Sequence, residues 1–254
     1  MLLAKGKITR ETAVAMYPQR GYLCLTSHFV SKISLTYNTE FLIVPSTKKI
    51  LIKWMFKMVD QLLWKDLVEL DPQKVMQRSG ARIKEGIFEI NVLNHTYAVD
   101  QCNQKIFRND ITPVGEHDSR LELPLLKYMS GAQPADPSGN WVSPRDLPDG
   151  AQFLTGVHSL PVKKIIANFG ENRESFYAAC QSVGGKPVEY ANIGFEFTLF
   201  PRLPVQVLLW LADDEFPARA SMLVDKNADQ HLPLDALLSA LAFLEYAIVS
   251  AIPK

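Results

Sequence analysis

Apolar positions recur with two different periods along this chain, and the changes of period mark its elements. From Leu51 to Leu70, Met55, Val59, Leu62, Leu63, Leu67 and Leu70 follow helical spacing. Asp71-Pro72 then starts a second short helix, with aspartate as N-cap and proline at the first helical position, and Ser79-Gly80 ends it. The period next falls to two. Gly86 to Val92 and Thr96 to Val99 read as a β-hairpin with its turn at Leu93 to His95, and Lys105 to Phe107 extends the sheet.

A helical face returns with Leu121, Leu125, Leu126 and Met129, and Pro124 is expected in that helix's first turn. Gly131 to Gly150, with five prolines and glycines between its ends, reads as a long loop. Helices are predicted over Pro161 to Phe169 and Arg173 to Val183, stopped by Gly170 and Gly184-Gly185. Three strands follow. Val188 to Phe200 alternates in part, Val205 to Leu211 is a continuous apolar run suited to a central strand, and Ala218 to Val224 comes after a turn at Asp213-Asp214-Glu215.

Pro233 opens the last helix, which runs to about Ile252 and is apolar almost all round. Asp235 and Glu245 inside it argue against a membrane span, because mid-bilayer carboxylates cost several kcal/mol. Packing on the sheet is the first expectation for this helix, and a homodimer contact the second. The pattern as a whole predicts an α+β fold. It has a mixed or antiparallel sheet with an N-terminal hairpin, three C-terminal strands, and five or six helices packed on it.

Composition adds little to this until charge is followed along the chain. The 254 residues are 47% hydrophobic and 21% charged with zero net charge, as in an ordinary core-forming protein without a global basic field for nucleic acid. Nine of the 27 basic residues but only two of the 27 acidic ones precede Asp60, which leaves the remainder acidic. Residues 1–50 are therefore set apart as a poorly structured basic extension, and 51–254 as a single α+β domain. A transit peptide and an upstream extension of a start at Met55 or Met58 are the alternatives for that extension. Cys24, Cys102 and Cys180 form no CxxC pair, which fits free thiols in a reducing, cytoplasmic setting.

Candidate chemistry is sparse. The loop residues Trp141, Ser143, Arg145 and Asp146 offer a stacking surface and a guanidinium for a carboxylate or phosphate; alternatively they hold the loop. Asp213, Asp214 and Glu215 cluster carboxylates suited to a hard cation, or simply form a solvated turn. His231 before Leu232-Pro233 is a candidate ligand or base, or a turn residue. Asp225, Asn227 and Asp229 open like a calcium loop, but Gln230 and Ala236 occupy the glycine and glutamate positions, so the pattern fails. No GxSxG, P-loop, GxGxxG or HxxxH occurs, and no cofactor is specified.

Three segments carry a family resemblance. They are Gly139-Asn140-Trp141-Val142-Ser143-Pro144-Arg145-Asp146-Leu147-Pro148-Asp149-Gly150, then Phe200-Pro201-Arg202-Leu203-Pro204-Val205 leading to Leu209 through Pro217, and Leu223-Val224-Asp225 through His231-Leu232-Pro233-Leu234-Asp235-Ala236-Leu237. Together they resemble the domain of unknown function numbered 3786, over about residues 60–254, a family found in anaerobic bacteria and archaea. Some relatives carry a four-cysteine iron–sulfur module, which three dispersed cysteines do not reproduce. The resemblance implies a ligand-binding or accessory module in corrinoid, tetrapyrrole or iron–sulfur cofactor metabolism. Two alternatives stand beside it: a metal-assisted hydrolase using Asp213, Asp214, Glu215 and His231, and a structural or oligomerisation protein using the last helix.

Overall fold

Short-range signals build the first part of the chain as expected. The computed structural model describes residues 61–108 and 119–252. The expected extension over 1–50 and the first half of the 51–70 helix lie outside the described residues. Helix α1 (61–68) buries Leu63, Trp64 and Leu67. Helix α2 (Pro72–Ser79) is capped by Asp71, whose carboxylate accepts from the Gln73 N–H, and Gly80 ends it in the left-handed conformation. Strands β1 (Arg82–Lys84), β2 (Ile87–Val92), β3 (His95–Asp100) and β4 (Lys105–Arg108) then form an antiparallel meander.

Helix α3 (Ser119–Gly131) contains a departure from expectation, because Pro124 lies inside it rather than in its first turn. An interior proline costs about 3 kcal/mol. The neighbouring Leu121, Leu125, Leu126 and Met129 are all fully buried. At about 1.5–3 kcal/mol per buried side chain, their packing outweighs that cost. Trp64 Nε1 donates to Glu122 Oε1 at 2.8 Å and so fastens α1 to α3.

The second sheet is also antiparallel, with order β5-β9-β8-β7-β6. Its strands are β5 (Trp141–Val142), β6 (Lys186–Val188), β7 (Ile193–Phe200), β8 (Leu203–Trp210) and β9 (Arg219–Asp225). The apolar run expected to be central is the middle strand, β8. The Val188–Phe200 strand divides into β6 and β7, and the 131–150 loop contributes the edge strand β5. The expected strands therefore separate into two sheets, and the C-terminal one gains two short edges.

Helices α4 (Gly150–Phe153), α5 (Lys163–Phe169), α6 (Arg173–Ser182) and α7 (Leu234–Ser250) complete seven helices among the described residues; the four-residue α4 is the one the pattern does not predict. Phe195, Phe197, Leu199, Val205, Val207, Met222 and Val224 form the sheet's inner face. Helix α7 lies over α3, α5 and α6. Glu245 is 8% exposed, and its Oε1 accepts from the Lys164 N–H at 3.0 Å, at the amino end of α5 where a negative charge is favoured. No helix among the described residues is long and apolar enough to cross a membrane. The two sheets meet where Leu93 N donates to Leu199 O.

Candidate functional site

The first and third sequence segments singled out above converge with the Phe200–Val205 part of the second at one end of the second sheet, and Leu209–Pro217 lies at the other end. Trp141 pairs with Asp225, and Lys226 N donates to Asn140 O at 2.8 Å. Asp225 is 2% exposed and accepts from the Gly139 N–H at 2.7 Å, the Asn227 N–H at 2.9 Å and the Ser138 hydroxyl at 3.0 Å. Burial pushes its carboxyl up, but the hydrogen bonds from Asn227, Gly139 and Ser138 outweigh it and hold the group below the usual carboxylate value.

Arg202, in the β7–β8 turn, reaches across to α2. Its Nε donates to Arg78 O at 3.1 Å, and its guanidinium pairs with Asp136. A cation on the last carbonyls of a helix is favoured by the helix dipole. Arg202 N also donates to Tyr128 Oη at 2.9 Å, and the Tyr128 ring stacks on Phe200 at 4.6 Å. Burial raises the Tyr128 hydroxyl well above its ordinary value. His231 completes the group, 2% exposed, with its ring centroid 6.3 Å from that of Tyr128.

The sequence candidates distribute unevenly over this junction. Trp141 and His231 belong to it. Ser143 caps a 3-10 turn, Pro144–Asp146, by accepting from the Arg145 N–H. Arg145 and Asp146 are exposed on that turn. Of the expected ligand set, Trp141 and His231 thus lie at the junction, and Ser143, Arg145 and Asp146 on the adjoining 3-10 turn.

The acidic set lies at the other end of the sheet. Asp213 Oδ1 accepts from the N–H groups of Glu215 at 3.0 Å and Phe216 at 2.7 Å, so it forms the β8–β9 turn. Asp213, Asp214 and Glu215 lie at one end of β9 and His231 beyond the other. Seven residues of strand separate the two ends, about 20 Å at ~3.3 Å per residue. They share no coordination sphere, and no metal-holding group of His, Cys, Asp or Glu exists among the described residues.

Gly150, the last residue of the first segment, shows why that segment keeps its shape. A Cβ there would stand 2.2 Å from Pro144 O and 3.0 Å from Arg145 C, both backbone atoms that cannot swing aside. Gly150→Ala is expected to lower stability by about 1–3 kcal/mol or more, read from the denaturant midpoint. A midpoint matching the wild type would mean that this turn is not tightly packed.

A concavity lies elsewhere, between the hairpin tip and the carboxyl ends of α6 and α7. It is a cleft of about 300 Å³. His95, Tyr97 and Arg108 line its sheet side, and Phe243, Tyr246 and Ala247 its helix side. Asn94 Nδ2 donates to Ser182 O at 2.9 Å and so fixes the hairpin tip against α6. That approach requires Gly184, at φ +89°, where a Cβ would come within 2.7 Å of Asn94 Cβ. The guanidinium of Arg120 covers the Tyr246 ring at 4.5 Å. The cleft combines cationic and imidazole donors, tyrosine hydroxyls, an apolar floor, and carbonyls at two helix ends that carry partial negative charge.

Local sequence pattern does not single out these residues. Period-two alternation turns Tyr97 inward, and helical spacing aligns Phe243 with Ala247. Nothing local joins residues 92–108 to 243–251. The two described cysteines offer no cluster site, since Cys102 is exposed and Cys180 is a buried thiol pushed upward by burial.

A family model described as Domain of unknown function (DUF3786) matches residues 71–246. No curated protein and no solved structure matches the chain.

Proposed function

The chain belongs to the DUF3786 family of domains of unknown function, and we propose that it acts there as a ligand-binding module whose site is the cleft between the hairpin tip and the carboxyl end of α7. One observation carries this reading. The cleft sets Arg108 and His95 opposite Phe243 and Tyr246, which is charge and hydrogen-bonding capacity above an apolar floor. The ligand that suits it is a small organic acid with an apolar or aromatic body. Arg108 would hold the acidic group and Phe243 and Tyr246 the body, while the helix-end carbonyls accept from any N–H or O–H it carries.

Size limits the class. A volume of about 300 Å³ is at the lower end of ligand pockets, which run from roughly 300 to 1,000 Å³. It suits a small metabolite. The accessory role proposed for this cleft is the handling of a small acidic metabolite.

Thermal-shift measurements with a panel of small carboxylates and phosphate esters test the proposal. A ligand at about a hundred times its Kd adds ~2.7 kcal/mol, which at ~2–4 °C per kcal/mol raises Tm by about 5–10 °C. Arg108→Gln should abolish the shift with acids, and Ala247→Trp, which fills the cleft, should abolish it with every ligand. A panel without any shift, or shifts that survive Ala247→Trp, would overturn the assignment.

A further inference from the structure

The junction of the three family segments contains a group that neither its hydrogen bonding nor the cleft explains. His231 is 2% exposed, and neither Nδ1 nor Nε2 has a hydrogen-bond partner among the described residues. A buried polar side chain in a native fold ordinarily has at least one partner. An imidazole without one is tolerable while neutral and costly once charged.

The groups around it decide what protonation would do. Tyr128 faces it from α3, Arg202 from the β7–β8 turn, Asp225 from β9, and Asp229 from its own 3-10 turn. Tyr128 stays neutral, and its oxygen already accepts from Arg202 N. Asp225 is engaged with Gly139, Asn227 and Ser138, and Arg202 with α2 and Asp136. An added positive charge thus finds a like charge in Arg202, while the nearest buried carboxylate is already committed to other donors.

We propose that His231 is an acid-sensitive latch: neutral, it lets the 226–233 segment close over Tyr128 and Arg202, and protonated, it opens the junction and frees the amino end of α7. Burial first, and the Arg202 charge second, lower the imidazole's affinity for a proton, against the weaker pull of Asp225 and Asp229. The sign follows from linkage. A histidine whose folded value is lowered stabilises the fold fully above its unfolded value of about 6.5, and that stabilisation is lost as pH falls below it.

Two measurements on the full chain test the latch. The first is Tm from pH 7.5 to 5.0 for the wild type and His231→Leu. The wild type should lose Tm as pH falls through 6.5, and the variant's curve should be flatter over that window with little loss at pH 7.5, because an apolar replacement leaves no unpaired polar atom. Parallel curves would overturn the proposal, since a purely structural histidine leaves the pH profile unchanged. The second stands if the variant does not fold. NMR titration of the wild-type His231 ring should show it neutral through pH 6.5, and half-protonation at or above 6.5 would overturn the latch. Neither readout depends on a ligand for the cleft, so the two proposals fail separately.

Discussion

Replacing Asp225 with alanine is expected to lower stability by about 3–5 kcal/mol. The carboxylate is 2% exposed and is the shared acceptor for the Gly139 and Asn227 N–H groups and the Ser138 hydroxyl. Removing it strands these donors, at about 1–3 kcal/mol for each that stays dry. It also loosens β5, because Trp141 is the residue paired opposite Asp225. Asp225→Asn keeps the shape and part of the acceptor capacity, so its loss should be smaller. Denaturant titration of both variants provides the measurement. A change below about 0.5 kcal/mol, typical of an open surface position, would show that the junction is not held by this carboxylate. The pH dependence has a definite sign. The folded carboxyl is held below its usual 3.8, so its stabilisation is present above that value and is lost as pH falls below it. That window lies below the one assigned to His231, and the two groups are separable in one acid titration.

Phe176→Ala is expected to cost about as much, ~3–5 kcal/mol, for a different reason. Phe176 is fully buried, with its ring 5.4 Å from that of Phe169 on α5 and 6.0 Å, edge-on, from that of Phe195 on β7. It ties α5 and α6 to the sheet, and truncation leaves a cavity bounded by two other rings that cannot collapse together. At ~2–4 °C per kcal/mol for a domain of this size, Tm should fall by about 6–20 °C. Phe216 is the matched control, 65% exposed beside the Asp213 turn. Phe216→Ala should stay within about 0.5 kcal/mol. Equal losses at the two positions would mean that the aromatic column does not hold the helices to the sheet.

These two sites differ in how far the chain itself announces them. Phe176 lies on a helix whose ends are written locally, by Asn172 accepting from the Ser175 N–H at the start and by Gly184-Gly185 past the end. Asp225 reads in sequence as the first residue of a failed calcium loop. Its partners at 138 and 139 are far upstream, and nothing near it indicates that it is buried.

What the sequence determined by itself is therefore the local structure. Asp71, Pro72 and Gly80 specify α2 because a cap is a contact among neighbours, the turn residues from Leu93 to His95 specify the hairpin, with His95 itself opening β3, and the apolar run around Gln206 specifies β8 as the central strand. The tertiary structure alone decided the rest. Trp141-Val142 is a strand only because β9 lies beside it, since two residues carry no period. Pro124 remains inside α3 only because the packing around it outweighs a lost hydrogen bond. The meeting of Trp141, Arg202, Asp225 and His231, the separation of His231 from the acidic turn, and the cleft between residues 92–108 and 243–251 all join distant parts of the chain. Such contacts are selected by the fit of whole elements in a shared core, and that fit exists only once the elements are assembled.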